Sequence, residues 1–504
     1  MRDSLILISN LRKHLQVADL CAVELLETHI SWVIVSGTCA YKIKKPVKFG
    51  FVDFSTLEQR RHFCLEELRL NKRVPSTLYL DVVAITGSSS QPELAGNGTP
   101  IEYAVKMQRF DQRQLFGRLL AAGELRHNTI DQLARIVADL HGSCPVAAAD
   151  SRWGMPGIVA HFACENIDSL EALITDPDLT RCLARIKAWT TQETARLSEV
   201  FLKRKAQGFV RECHGDLHLG NIVIWEKQAI PFDALEFNEE LRWIDVLNEV
   251  AFVYMDFRKH GHSEFAWRFM NFYLEQTGDY EGVQVLRYYS IYRAMVRAYV
   301  AGLTHVQQGA KTDTSRQAAT DMQDYLRCAN EMAQPSGPRL WITCGVSGSG
   351  KTTGTQPWIE RHGAIRVRSD VERKRLFLSA RHASASPLTH MYSASAVASV
   401  YDRLYELAAL ILRSGESVII DATFLRHSDR QRFRELAATC NVPFEILAFD
   451  ATYDELRRRI EQRKSAGTDA SDANLAVLAK QLAEREPLSP EELASTRTIN
   501  PPVV

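Results

Sequence analysis

At 504 residues the chain is too long for one ordinary core, and two to four domains are expected. A hydrophobic fraction of 45% and a charged fraction of 24% suit a folded globular protein. The 61 Lys and Arg balance 61 Asp and Glu, so no global field draws the chain to nucleic acid or to a membrane. No run approaches the roughly 18 apolar residues of a membrane span. The first residues lack a secretory signal, and ten singly scattered cysteines argue against zinc and against a disulfide framework, so a reducing cytoplasm is expected.

In chain order, a helix comes first, then "SWVIVSGTCAYKIKK" from Ser31, two alternating apolar runs around Gly37 that predict a hairpin. A charged helix is expected from about Ser55 to Arg73, then strands in "YLDVVAIT" and "IEYAVKMQRF", giving a small sheet with one helix. Residues 115 to 202 read as helical. "HGDLHLGN", from His214, leads into strands "IVIW" and "AIPFDALEF", and helices fill the chain to Met332. "QPSGPR", 334 to 339, reads as a linker. Beyond it the strands "LWITCG", "AIRVRS", "SVIIDAT" and "FEILAFD" alternate with helices, which predicts a parallel sheet covered by helices. One of those helices runs from about Ser393 to Arg413 and stops at Gly415; another opens with "TYDE" (Thr452 to Glu455), the form of a capping box.

Gly345, Gly350, Lys351 and Thr352 fit G-x-x-x-x-G-K-[ST] between a strand and a helix. Gly345, Ser347, Gly348, Ser349, Gly350, Lys351, Thr352 and Thr353 are therefore expected to wrap the phosphates of ATP, with Lys351 on the β- and γ-phosphates and the Thr352 hydroxyl on Mg²⁺. Asp370 and Arg373 stand one helical turn apart at a strand's carboxyl edge. Asp370 suits the base that takes a hydroxyl proton, and Arg373 an anchor for an anionic group; the alternative is a helix-capping Asp. Asp421 ends the third strand, suited to Mg²⁺ or to orienting a neighbouring side chain. Arg457, Arg458, Arg459 and Arg463 follow on one helix; Arg459 and Arg463 share a face that could close over the transferring phosphate, the alternative being a solvent-facing basic helix.

In "HGDLHLGN", His214, Asp216 and Asn221 fill H-x-D-x-x-x-x-N, the catalytic loop of protein-kinase-like folds, and Asp233 in "PFDALEF" stands where the second metal ligand belongs. Asp216 is the expected base; Asn221 and Asp233 are the expected metal ligands. Such a fold requires a phosphate-binding Lys on its sheet and a Glu on its helix. Lys42 and Lys44 share a strand face and Glu66 and Glu67 are adjacent; Lys42 and Glu67 are preferred.

On "YKIKKPV", "GFVDFST" and "HGDLHLGNI", residues 1 to 333 resemble the aminoglycoside phosphotransferase and choline-kinase-like group, in a branch with a P-loop kinase fused behind. On the P-loop, "DVER", "DATF" and the arginine-rich helix followed by "DASDA", residues 338 to 490 resemble small P-loop kinases of the AAA_33 type, which include polynucleotide 5′-kinase domains. The resemblance implies an α+β two-lobed kinase-like domain (lobes of about 1–112 and 113–333), a linker at 334–339 and an α/β P-loop domain from 340 to 504. It implies ATP and Mg²⁺ as cofactors, small-molecule acceptors as partners and two phosphotransferase activities. The rivals are an ATP-binding regulatory switch, against which the intact Asp216, Asn221 and Asp233 speak, and a polynucleotide 5′-kinase in the C-terminal part, which zero net charge disfavours.

Overall fold

A computed structural model describes residues 2–18, 22–49, 52–308, 312–379, 393–466 and 474–499. By packing the chain divides into two compact units, Met1–His161 with Phe201–Asp256, and Phe162–Val200 with Phe257–Val504. The helices after Asp256 are thus counted with the P-loop sheet.

In the first unit, strands Glu24–Glu27, Ser31–Ser36, Cys39–Lys44, Glu102–Gln108, Tyr79–Ser88 and Gln91–Leu94 form one antiparallel sheet in that spatial order. The hairpin expected around Gly37 is present, with Val33 opposite Lys42. Strand alternation divides the sheet's side chains between two faces. Tyr41 and Ile43 pack with Trp32, Ile34 and Ile85 against Leu7, Ile8, Leu11 and Leu15 of the helix Arg2–Ala18. Ala40, Val105 and Met107 face the opposite way, toward Cys64 of the helix Leu57–Asn71. That helix is opened by a capping box between Thr56 and Gln59. Glu24–Glu27 and Gln91–Leu94 were not foreseen; both are four-residue edge strands, too short to show alternation.

The expected strand "AIPFDALEF" is shorter in the fold. It stops at Pro231, because the Phe232 amide turns to donate to Asn221 O at 3.0 Å and Asp233 takes φ +62°. That turn takes Asp233 out of the hairpin Ile222–Trp225/Gln228–Pro231.

In the second unit, five parallel strands lie in the order Ala364–Arg368, Ser417–Asp421, Leu340–Cys344, Phe444–Ala448, Thr496–Thr498. The P-loop strand Leu340–Cys344 is central and wholly buried. The last strand, three residues long, was not foreseen. Arg368 pairs in register with Asp421, so both stand at the carboxyl edge where such sheets bind ligands. The helix Ala394–Arg413 starts from Ser393 as expected. The "TYDE" box is corrected to half a box: Thr452 Oγ1 accepts from Glu455 N at 3.4 Å, but the Glu455 carboxylate turns forward to Arg459. No helix among the described residues is long and apolar enough to cross a membrane, and the nine described cysteines are free thiols.

Candidate active sites

The first site lies on the inner face of the N-terminal sheet. Lys42 and Lys44, two apart on one strand, both point at the helix Leu57–Asn71. Lys42 Nζ donates to Glu67 Oε1 at 3.0 Å and also to Asp233 Oδ1. Lys44 Nζ, fully buried, donates to Glu67 Oε2 at 2.8 Å and to Glu236 Oε1. One carboxylate therefore holds both lysines. Glu66 looks elsewhere, toward Arg69 at 2.8 Å and Arg242 at 3.7 Å. Lys42 is the lysine that also reaches Asp233, while Lys44 is locked in the interior.

Burial opposes charge on these groups, and their neighbours overcome it. Burial pulls Lys42 down, but Asp233, Glu67 and Glu236 hold it well above the ordinary lysine value. Burial pushes Glu67 up, and the two lysines pull it below the usual carboxylate range. Glu236 stays raised, because burial and the charge of Glu67 outweigh Lys44. Sequence reasoning missed Glu236; a Glu three positions after Asp233 carries no signal of its own.

The loop of residues 214–221 is tied down on every side. Asn221 Nδ2 donates to Asp216 O at 2.9 Å and to Asp216 Oδ2 at 3.0 Å. His214 Nε2 donates to Phe232 O at 2.9 Å, and the Leu235 amide donates to His214 O at 2.9 Å, which join the loop to the Asp233 turn. His214 is thus a structural member of the loop, and burial lowers its imidazole below the ordinary value. Glu249, fully buried, accepts from the Gly215 amide at 2.7 Å through Oε1 and from His141 Nε2 at 2.8 Å through Oε2. Asp256 Oδ2 accepts from the Leu219 amide at 3.0 Å. His218 Nδ1 accepts from the Gly220 amide at 3.0 Å and caps the short turn before Asn221.

Asp233 keeps 40% of its side chain exposed. The exposed Asp233 carboxylate and the amide oxygen of Asn221 are hard oxygen donors of the kind that Mg²⁺ takes. These residues fit the metal expected of them.

The second site is a cleft of about 740 Å³ at the carboxyl edge of the parallel sheet. Its floor is the P-loop and the helix Lys351–His362. Gly348, φ +85°, lets the loop pass under the arginine helix Tyr453–Ala466; a Cβ there would come within 3.1 Å of Leu456 O and 3.2 Å of Ile460. Lys351 Nζ donates to Gly345 O at 2.9 Å and Val346 O at 2.8 Å, curled over the loop it is expected to serve. Ser349 Oγ is buried without a hydrogen-bond partner among the described residues, which suits a loop shaped for phosphate oxygens. The Ser347 amide is taken by Gln481 Oε1 at 2.8 Å, from the helix Leu475–Glu484. Thr352 Oγ1 donates to Asp421 Oδ2 at 2.7 Å. That hydroxyl–carboxylate pair is again an oxygen donor set suited to Mg²⁺.

Asp370 and Arg373 both line this cleft, with Thr353, and bind each other at 2.7 Å. Asp370 lies in the first turn of the helix Ser369–Ser379. Arg459 reaches the loop, with Nη1 3.4 Å from Gly348 O. Arg457 instead pairs with Glu461 on the outside at 3.0 Å. The side chain of Arg463 and all of "DASDA" lie outside the described residues. Sequence reasoning missed Asp429, at the third position of the helix His427–Thr439, where Asp is ordinary. It lines the cleft, and burial raises its carboxyl.

Residues 340–488 match the AAA_33 family, an AAA domain. The P-loop cleft lies wholly within the matched segment. An uncharacterized protein of Mycobacterium tuberculosis (strain ATCC 25618 / H37Rv), Rv2004c, is 29% identical over 470 residues, 93% of this chain and 92% of that protein. A putative aminoglycoside phosphotransferase from Ralstonia eutropha JMP134 covers 65% of this chain and 98% of its own, at 11% identity and a TM-score of 0.39. A sugar kinase from Janibacter sp. HTCC2649 covers 32% and 84% at 22% identity, with a TM-score of 0.24. The chain joins an α+β region built on a six-stranded antiparallel sheet to a parallel α/β region that is similar to the AAA_33 family over residues 340–488.

Proposed function

We propose that the chain is a double ATP-dependent kinase, each site moving the γ-phosphoryl group of ATP to a hydroxyl of a small-molecule acceptor in the cytoplasm. The observation that carries this reading is Lys42 meeting Glu67 and Asp233 at once, a lysine–glutamate pair already formed beside a metal-ligating carboxylate. In the first site Asp216 takes the acceptor proton, oriented by Asn221, and Lys42 leaves Asp233 for the ATP phosphates. In the second site Lys351 uncurls onto the phosphates, Asp370 takes the acceptor proton and Arg373 holds the acceptor's anionic or polar edge. Asn221 and Asp233, and Thr352 and Asp421, would hold Mg²⁺, which when bound neutralises charge on the β- and γ-phosphate oxygens. Arg459 supports the transferring phosphate from the lid side.

The test is transfer of label from [γ-³²P]ATP into a metabolite extract by the full chain, by Asp216→Asn and by Lys351→Ala. Each variant is expected to lose its own set of labelled products and keep the other's. Identical product sets from all three proteins would refute the reading.

A further inference from the structure

The AAA_33 match begins at residue 340, yet the edge strand Ala364–Arg368 is completed by a helix that precedes it, Ser263–Thr277. Asn271, buried, donates Nδ2 to Ala364 O at 2.8 Å and accepts the Arg366 amide through Oδ1 at 2.6 Å. A neighbouring strand would make the same pair of bonds. One turn on, Glu275 Oε1 accepts from Arg368 Nη1 at 2.6 Å, and its Oε2 stands 3.8 Å from Arg366 Nη2. The backbone oxygen of Glu275 accepts from Arg375 Nη2 at 2.7 Å. The helix ends at Gly278, φ +75°, where a Cβ would come within 2.5 Å of Arg375 Nε.

Both arginines touch the site. Arg366, 5% exposed, runs under the P-loop helix and donates Nη1 to Thr352 O at 2.9 Å and Thr355 Oγ1 at 3.2 Å. Arg368 lines the cleft next to Ser369 and Asp370. Two positions apart on one strand, they face the same way. Their like charges oppose each other, and Glu275 is the carboxylate that both approach.

We infer that Glu275 is a positioning residue of the P-loop site: one carboxylate balances the arginine beneath Thr352 and the arginine beside Asp370, so the metal side and the acceptor side keep their spacing. The inference rests on the phosphotransfer reading of that site. Removing one partner of a buried ion pair weakens the compensation of the other charge, and here two arginines lose the same partner.

The experiment uses the full chain. Glu275→Gln keeps shape and removes charge. Amide exchange across 364–379 is expected to rise about tenfold, with the N-terminal sheet unchanged. In an Asp216→Asn background, ADP release with water as the acceptor is expected to fall about tenfold in kcat, with KM for ATP held within about twofold. Adding Arg368→Gln to Glu275→Gln brings exchange back toward wild type, because the surplus charge is gone; a packing role is not rescued by a second lesion. Glu275→Asp, which keeps the charge, stays near wild type. Unchanged exchange in Glu275→Gln, or a double variant worse than the single one, overturns the inference. If wild type releases no ADP that depends on Lys351, the phosphotransfer reading falls instead, and the exchange data still decide the positioning role.

Discussion

Lys42 and Glu67 stand 25 positions apart, one on a strand and one on a helix, and meet at 3.0 Å. The same Glu67 carboxylate holds Lys44 at 2.8 Å through its other oxygen. Because Glu67 also holds Lys44, which Glu236 fixes in place, Glu67 cannot swing away without breaking a second buried ion pair. The ion pair proposed to receive the ATP phosphates is therefore built into the resting fold.

The two lysines should separate cleanly. Lys42→Met is expected to lower transfer at the first site by about 10²–10³-fold and to cost less stability than Lys44→Met, because Glu67 keeps Lys44 and Asp233 is partly exposed. Lys44→Met leaves Glu236 and half of Glu67 uncompensated in the interior, and is expected to cost about 3–5 kcal/mol. Urea unfolding beside labelled-product assays of each variant in a Lys351→Ala background checks this; equal stability for both would contradict it.

Asp216→Asn keeps the size of the side chain and an oxygen for Asn221 while removing the base. Transfer at the first site should drop by about 10²–10⁴-fold. ATP binding, followed by titration calorimetry in the Lys351→Ala background, should persist, because Lys42 and Asp233 are intact.

Asp370→Asn asks whether the carboxylate is a base or a first-turn helix anion. As the base, its loss should reduce labelling of the second product set by about 10²–10⁴-fold with P-loop nucleotide binding preserved. As a helix anion its loss changes little. Near-wild-type labelling would move the search to Asp429, which lines the same cleft.

Acid should loosen the catalytic loop through Glu249. Burial pushes this carboxyl up, but the hydrogen bond and charge of His141, with His214 and the Gly215 amide, bring it down to about 2. A carboxyl with a depressed folded value stabilises fully above its unfolded value near 4.3 and loses that contribution as pH falls toward 2, about 3 kcal/mol in all. The urea midpoint measured from pH 6 to pH 3 should fall, and Glu249→Gln should remove that share of the slope. An identical slope in the variant would show that Glu249 contributes none of it.

The P-loop and the "HGDLHLGN" motif were readable in the sequence because their geometry is local. A P-loop is a run of backbone amides between a strand and a helix, so Gly345 to Thr352 define it without help from elsewhere. Asp216 and Asn221 likewise meet within one loop, five positions apart. The parallel sheet followed from strand and helix alternation, and the hairpin from alternating apolar residues around Gly37. The short edge strands escaped, since three or four residues carry no period.

The tertiary structure alone decided which charges answer which. The sequence could only prefer Lys42 to Lys44 and Glu67 to Glu66; the docking of helix on sheet turned Glu67 to both lysines and Glu66 to Arg69. Glu236 meets Lys44 across 192 positions and Glu249 meets Gly215 across 34. Glu275 meets Arg368 across 93. A buried charge leaves no periodic mark on its own segment. Its partner is whatever opposite charge the fold brings within about 4 Å, because an unpaired ion in the interior costs too much to persist.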